Sequence, residues 1–179
     1  MGRVPAMACA VVAANLQAVL GLPTDVVATQ APPPEAHLRA RGQHDAAPIL
    51  TALRGEALPP RVRVGVTALD LCLPILTFVY GEALVGGRVA VVSTARLGPR
   101  LGQSPAGSPE NPGRLLERLA KVALHETAHA LGLGHCRADG CLMVFSAGLD
   151  VLDSLGLVFC PACERQLVAG RQSLSYPSR

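Results

Sequence analysis

A run of eleven residues, from His125 to His135, constrains this chain more than any other feature of its sequence. It reads H-E-x-x-H-x-x-G-x-x-H, and its first two histidines are four residues apart, which places them on one helix face. Both imidazoles can then reach one Zn²⁺ ion at roughly 2.0–2.1 Å. On a continuing helix His135 would lie about 9 Å beyond His129, so it joins them only if the chain turns back. Gly132 stands where a left-handed residue can end the helix.

Glu126 follows the first histidine directly and can face the open side of such a site. Three protein ligands leave a fourth position for water, which is typical of a catalytic zinc site. Zinc lowers the pKa of that water, and a nearby carboxylate can take its proton and later deliver it to a leaving amine. The alternative is a chance histidine cluster on a core helix, which the register of Gly132 and His135 disfavours.

The cysteines give a second, independent signal. Four of the six fall in the last quarter of the chain, as C-x4-C followed by C-x2-C: Cys136, Cys141, Cys160 and Cys163. Four thiolates suit a closed tetrahedral zinc site, which contributes folding energy. The alternatives are two disulfides, as in a secreted scaffold, or buried thiols without metal. Cys9 and Cys72 are expected to be ordinary buried cysteines. Because one peptide bond joins His135 to Cys136, each zinc would hold the other's ligand in place.

The run from His125 to Cys163 resembles the archaemetzincins, a branch of the metzincin metallopeptidases. That family combines H-E-x-x-H-x-x-G-x-x-H-C with C-x4-C-x-M and a later C-x-x-C, and every element stands in this sequence. The segments 41–44 (RGQH) and 78–83 (FVYGEA) also look like parts of the family. The resemblance implies an α/β (α+β) metzincin-like zincin fold, with a mixed twisted sheet, an antiparallel edge strand, an active-site helix and a C-terminal zinc knuckle of four cysteines.

The resemblance also implies the role of each site residue. The catalytic zinc would bind His125, His129 and His135, with Glu126 as general base. Met143 would form a Met-turn beneath this zinc, although a lone methionine is usually core filler. The structural zinc would bind the four cysteines, Cys136, Cys141, Cys160 and Cys163. Two Zn²⁺ ions per chain are therefore expected.

Length and composition agree with one catalytic domain over residues 1–179, with an upper part of about 1–132 and a lower part of about 133–179. Half of the residues are apolar but only 3% are aromatic, so the core must be built from Ala, Val and Leu. The net charge of +3 is modest and the arginines are scattered without aromatic interleaving. Nucleic-acid binding is therefore not indicated.

The apolar segment Val4–Leu20 could be mistaken for an export signal. It is too short and polar for a membrane span and has no distinct cleavage site, so a signal peptide is only the alternative. We expect a short strand or turn that leads into an amphipathic helix, with Gly21 and Pro23 as stop signals. A cytoplasmic monomer without membrane contact is expected.

The remaining patterns predict the order of elements. They are a strand at Thr24–Thr29, a helix at Asp45–Leu53, a strand at Arg61–Ala68, a hairpin of Leu76–Glu82 and Arg88–Thr94, a loop at Gly98–Gly113, and a helix opened by Asn111 and Pro112 that runs through Leu131. One arm of the hairpin is expected to be the edge strand of the cleft, to which a peptide could add. The alternative is a sheet element with no role in substrate binding.

These observations predict a zinc-dependent metallopeptidase that hydrolyses peptide bonds of a peptide or protein substrate through zinc-activated water. A zinc-binding regulatory protein without proteolysis is the alternative. A nucleic-acid-processing hydrolase with three histidines is disfavoured by Glu126 and by the clustered cysteines. Astacin-like relatives carry a tyrosine two residues after the Met-turn methionine, but this chain has Phe145 there. Tyr80, Tyr176, an arginine or backbone groups would have to assist the oxyanion.

Overall fold

The computed structural model describes residues 4–27, 30–56, 61–98 and 112–175. The described residues form five α-helices, a short 3₁₀ turn and seven strands. In chain order these are α1 (Ala6–Leu20), the 3₁₀ turn (Pro34–Ala36), β1 (His37–Leu38), β2 (Gln43–Asp45), α2 (Ala46–Glu56), β3 (Arg63–Thr67), β4 (Leu71–Leu73), β5 (Leu76–Val79), β6 (Gly81–Leu84), β7 (Val89–Ser93), α3 (Pro112–Ala130), α4 (Leu149–Ser154) and α5 (Pro161–Ser175).

The strands form two mixed sheets. The first has the order β1-β2-β4-β5, in which β2 and β4 are parallel and the other pairs antiparallel. The second has the order β3-β7-β6, in which β3 and β7 are parallel while β6 runs antiparallel to β7 at the edge. The predicted mixed α/β architecture with an antiparallel edge strand is therefore confirmed, and β6 is that strand.

Strand β7 is the centre of the molecule, because every one of its residues is buried. Successive side chains of a strand point to opposite faces, and β7 uses both. Val89 and Val91 pack with Ile49 and other residues of α2. Ala90 packs with Ala130 near the end of α3. The sheet of β3, β7 and β6 therefore lies between α2 on one face and α3 on the other.

The largest core cluster joins residues from both ends of the chain. Helix α1 contributes one face, on which a residue is buried at every fourth position, and the other members come from α3, α4, α5, β7 and the segments between the helices. Helix α1 is capped at its C-terminal end by Gly21, which has φ +61° and whose N–H donates to the Gln17 carbonyl. Late in the chain, Arg171 of α5 donates to the Leu20 carbonyl at 2.6 Å. The last helix is thus tied to the first.

Most predicted elements are found, but two of the predicted strands differ from the structure. The predicted strand at Thr24–Thr29 is wrong for residues 24–27, which are irregular, with Val26 and Val27 mostly exposed; residues 28 and 29 lie outside the described part. β-branched residues form a strand only where a partner offers a ladder. The predicted strand Leu76–Glu82 is two strands, broken at Tyr80, because β5 pairs with β4 and β6 pairs with β7. The predicted loop 98–113 and the N-cap Asn111 fall mainly on residues outside the described part.

The helix predicted to end at Leu131 begins at Pro112 and ends at Ala130. Helix α1 starts at Ala6, and the two described residues before it, Val4 and Pro5, form neither the strand nor the turn that we expected. Among the described residues, no helix combines the length and the apolar character that crossing a membrane requires.

A partly buried ion pair fixes α4 against α3. Arg118 of α3 makes a two-pronged contact with the Asp153 carboxylate at 2.7 Å for each pair of atoms, and its third nitrogen donates to the Leu97 carbonyl at 2.7 Å. The hydrogen bonds from Arg118, aided by Arg114, lower the pKa of Asp153 from 3.8 to about 2. The carboxyl therefore ionises more readily in the folded chain than in the unfolded chain.

We expect Asp153→Asn to cost about 2 kcal/mol of unfolding free energy at pH 7, since a shift of one pKa unit corresponds to about 1.4 kcal/mol. The contribution is fully present above the unfolded pKa and disappears as the pH falls through the folded pKa, between about pH 4 and pH 2. Denaturant unfolding at several pH values measures it. Arg114→Ala is the control, because Arg114 is 58% exposed and should contribute little. If the unfolding free energy of Asp153→Asn fell in acid as steeply as that of the parent, the assignment of this acid dependence to Asp153 would be wrong.

Candidate active site

The last turns of α3 bring the first two histidines to the surface of the core. The helix is amphipathic, with Leu115, Leu119 and Val122 buried against the rest of the molecule. His125 and His129 continue this face, and their ring centroids are 4.6 Å apart. His129 is buried, whereas His125 is half-buried. Helical spacing alone therefore places the two imidazoles together, as the sequence predicted.

The third histidine reaches them because the helix stops at once. The Leu133 N–H donates to the Ala128 carbonyl at 3.0 Å and the Gly132 N–H to the His129 carbonyl at 2.8 Å. This pair of hydrogen bonds defines a Schellman C-cap, in which the residue at the Gly132 position adopts a positive φ. The φ of Gly132 is +103°. The chain then returns, and the His135 ring lies 4.8 Å from that of His129.

We expect Gly132→Ala to cost about 1–3 kcal/mol of unfolding free energy, the usual cost of a side chain in a sparsely populated backbone region. It should also weaken metal binding, because relief of the strain moves His135 away. Gly134→Ala is the matched control, since Gly134 lies in the same segment without a positive φ and an added Cβ would meet no atom within 4 Å. Zinc titration and denaturant unfolding of both variants test this. Equal zinc affinity in the two variants would show that the turn does not place the third histidine.

The nitrogens of the histidine cluster fit a metal ion. The Nδ1 atoms of His125 and His129 each lie 2.7 Å from a backbone carbonyl oxygen, of Leu142 and Leu133 respectively. A carbonyl only accepts, so each Nδ1 carries the proton and each Nε2 keeps a lone pair. The two Nε2 atoms are 3.0 Å apart. Two lone pairs at this distance repel unless a cation lies between them, and tetrahedral zinc sets its nitrogens about 3.3 Å apart.

Electrostatics also favours neutral imidazoles. Burial and, to a smaller extent, the neighbouring histidines lower the pKa of His125 to about 4, against the opposing effect of the hydrogen bond with Leu142. Burial and His135 lower the pKa of His129. Metal ligands must be unprotonated, so the cluster holds its ligands ready near neutral pH. Ligand nitrogens of His125, His129 and His135 all lie within 4.8 Å of one another.

Glu126, the residue after His125 on α3, is partly buried. Burial raises the pKa of its carboxyl to about 8, and the negative field of Glu82 on β6 adds to the rise. Burial also raises the pKa of Glu82 itself. A cation bound nearby would oppose this rise and favour the carboxylate, which is the form that can act as a base.

The hairpin of β6 and β7 caps the end of α3. The Gly86 N–H donates to the His129 carbonyl at 2.9 Å, and the Arg88 N–H donates to the Ala130 carbonyl at 3.1 Å. The last carbonyls of a helix lack intrahelical donors, so these bonds satisfy them. The edge strand and the end of the histidine helix are therefore held in one arrangement.

The four clustered cysteines form a second group. Their Sγ atoms all lie within 4.8 Å of one another, and those of Cys136 and Cys160 are 3.7 Å apart. Tetrahedral zinc with Zn–S bonds of about 2.3 Å places its sulfurs about 3.8 Å apart. The N–H of Ala138 donates to Cys136 Sγ and that of Cys160 donates to Cys141 Sγ, each at 3.3 Å. None of the six cysteines, all of which lie in the described part, forms a disulfide.

The segment around Met143 connects the two clusters. The Cys136 N–H donates to the Met143 carbonyl at 2.8 Å, and the adjacent Leu142 carbonyl is the acceptor that faces His125. Met143 is fully buried in the main core cluster. The carbonyls of Leu142 and Leu133 were missed by sequence reasoning, since a backbone acceptor leaves no signal in residue type.

The aromatic residues near the site have different surroundings. Phe145 is 65% exposed, and its ring meets that of His135 edge to face at 5.2 Å. Tyr80 packs against the core and against Phe78, and burial raises the pKa of its phenol. Tyr176 lies outside the described residues. No phenol within the described part occupies the place beside His135 that Phe145 fills.

Comparison of the sequence with known proteins identifies relatives of this chain. The family model of peptidase family M54 matches residues 58–169. An archaemetzincin from Methanopyrus kandleri is 38% identical over 135 residues, which cover 75% of this chain and 71% of that protein. An archaemetzincin from Methanocaldococcus jannaschii is 37% identical over 131 residues, which cover 72% of this chain and 68% of that protein.

Solved structures show the same fold. The crystal structure of archaemetzincin from Methanopyrus kandleri superposes with a TM-score of 0.80 at 35% identity, covering 96% of this chain and 91% of that chain. That of archaemetzincin from Archaeoglobus fulgidus, complexed with malonate, gives 0.77 at 28% identity, covering 92% of this chain and 95% of that chain.

The fold and the two ligand clusters define a zinc-dependent metallopeptidase, a hydrolase. The predicted class and fold are confirmed. The chain belongs to peptidase family M54, the family of the archaemetzincins.

Proposed function

We propose that this chain hydrolyses peptide bonds with a catalytic zinc held by His125, His129 and His135 and with Glu126 as general base. The observation that carries the proposal is the pair of Nε2 atoms 3.0 Å apart, each with its Nδ1 bonded to a carbonyl. Bound zinc supplies a Lewis acid that polarises the scissile carbonyl and lowers the pKa of a water molecule. The protein's own part is to orient the ligands and to move the proton.

Glu126 is suited to both halves of the proton transfer. Its carboxylate accepts a proton from the attacking water and later delivers it to the leaving amine. Burial disfavours the charged carboxylate, so it favours holding the proton between these two steps. Glu126 is adjacent to His125 in sequence, so the base and the ligand are carried by the same turn of α3.

Strand β6 is suited to bind the peptide. One of its edges pairs with β7, and no described strand pairs with the other edge. A peptide can add there as a further strand, through main-chain hydrogen bonds that do not depend on its sequence. The β6–β7 turn donates hydrogen bonds to the His129 and Ala130 carbonyls. A peptide bound to β6 would therefore lie at a fixed distance from the histidines.

We further propose a second, structural zinc on Cys136, Cys141, Cys160 and Cys163, which makes two per chain. Four sulfurs at tetrahedral spacing support it. Cysteines kept as thiolates fit a reducing compartment, so we propose a cytoplasmic location. We also propose that the chain is a monomer. Met143, which is buried in the main core cluster, would form the Met-turn of the catalytic site.

A digest of a peptide library with and without a chelator tests the function. Chelator-sensitive cleavage of peptides, with no cleavage of a single-stranded RNA, is the expected result. Loss of the chelator effect, or cleavage of RNA alone, would contradict it. The purified protein should be assayed at about pH 7, where His125 and His129 are unprotonated.

A further inference from the structure

Gly81, the first residue of β6, lies against the side chain of Glu126. A Cβ added at Gly81 would lie 2.6 Å from the Glu126 Cγ, 3.0 Å from the Val122 Cγ1 and 3.0 Å from the Val91 carbonyl oxygen. Carbon atoms in contact normally stay about 3.5–4.0 Å apart. The space that a side chain at position 81 would need is therefore already occupied, chiefly by the methylene that carries the Glu126 carboxyl.

The backbone on the sheet side of this contact is firmly held. Gly81 pairs with Val92, and the Tyr80 carbonyl just before it accepts from the Ser93 N–H at 2.8 Å. Both contacts are made to residues of strand β7. This strand is buried along its whole length and pairs with β3 on its other side. Strand β6 therefore cannot retreat without breaking the central strand's ladder.

The helix side is held as well. The turn that follows β6 donates to the His129 and Ala130 carbonyls, so the strand and the end of α3 move together. Ala83, two residues further along β6, packs with Ala130 in the same interface. With both backbones fixed, the freely rotatable group at this contact is the Glu126 side chain.

We propose that Gly81 is a positioning residue for Glu126: its bare backbone forms the surface on which the Glu126 Cγ rests, and so sets where the carboxyl lies relative to the three histidines. The inference rests on the proposed role of Glu126 as general base. Proton transfer needs heavy atoms about 2.6–3.2 Å apart, and a misplacement of about 1 Å can cost about 10²-fold in rate. Any side chain at position 81 would cause such a misplacement.

Gly81→Ala and its control Gly65→Ala test the inference. Gly65 lies in β3 of the same sheet, where an added Cβ would come within 3.0 Å of the Leu53 Cδ1, the far end of a flexible side chain. We expect Gly81→Ala to lower kcat about 10²-fold while KM stays within about twofold and zinc content is unchanged. Gly65→Ala should stay near the parent in all three. A Gly81→Ala variant with the parent kcat would overturn the inference.

A crystal structure of metal-free Gly81→Ala supplies a readout that does not depend on activity. We expect the Glu126 Cγ to be displaced by about 1 Å while the Gly81–Val92 pairing is retained, because contacting carbons need about 3.5–4.0 Å. An unmoved Glu126 beside a shifted β6 would overturn the inference. If Gly81→Ala does not fold, the same measurements on Gly81→Ala/Val122→Ala decide, since that variant removes one of the three obstructing atoms. A parent without chelator-sensitive peptidase activity would instead count against the proposed function, and the structural readout would still stand.

Discussion

Glu126→Gln is expected to lose peptide hydrolysis by at least about 10²–10⁴-fold in kcat, the usual contribution of a general acid–base group. The amide has nearly the shape of the carboxyl but cannot take a proton. Zinc content should be unchanged, because Glu126 is not among the clustered ligand groups. Peptide turnover and elemental analysis on the same preparations measure the two effects.

Glu117→Gln is the matched control for this experiment. Glu117 lies on the same helix, is 56% exposed and pairs with Lys121 at 2.7 Å. Lys121 itself is buried, but the amide that replaces the Glu117 carboxylate still offers an oxygen that can accept from its ammonium, so this variant should fold and keep the parent activity. Full peptidase activity in Glu126→Gln would rule out the proposed base, whereas an equal loss of activity in both variants would indicate damage to the helix.

The second large effect is expected from the cysteine cluster. Protein purified without added metal should contain about two zincs per chain, and a mild chelator should remove only the one held by histidines, since a closed four-thiolate shell excludes water and chelator. Removal of the second should loosen the segment 136–163. It should also weaken the histidine site, because Cys136 is bonded directly to His135 and its N–H donates to the Met143 carbonyl.

Cys163→Ser isolates this second zinc. We expect loss of the tightly bound zinc and a fall of several kcal/mol in unfolding free energy, because metal binding to a structural site is coupled to folding. Cys9→Ser is the control, as Cys9 lies on α1 and belongs to neither cluster. Two zincs retained in Cys163→Ser, or simultaneous loss of both metals to a mild chelator in the parent, would contradict the two-site assignment.

Much of the candidate site could be predicted because its logic is local. The four-residue spacing of His125 and His129 needs only a helix, and Gly132 needs only a turn with a positive φ. The C-x4-C and C-x2-C pairs likewise bring thiols together over short stretches of chain. Motif spacing therefore identified both clusters that the structure brings together.

The strands were less predictable, because a strand exists only if another strand accepts its hydrogen bonds. Val26 and Val27 have suitable side chains but no ladder, and they lie exposed. The break at Tyr80 arises because two different strands compete for the residues on either side of it. Residue type alone carries no information on either outcome.

The sequence by itself determined the chemistry of this protein: three histidines, a glutamate and four cysteines at spacings that ordinary helix and turn geometry converts into two ligand clusters. The tertiary structure decided how those groups are oriented. The carbonyls that face His125 and His129 and the bare backbone of Gly81 beneath Glu126 act through contacts between distant parts of the chain. The distances in these contacts are set by the packing of β6, α3 and the segment after α3. Residue type does not reveal them, because the backbone groups are nearly the same at every residue.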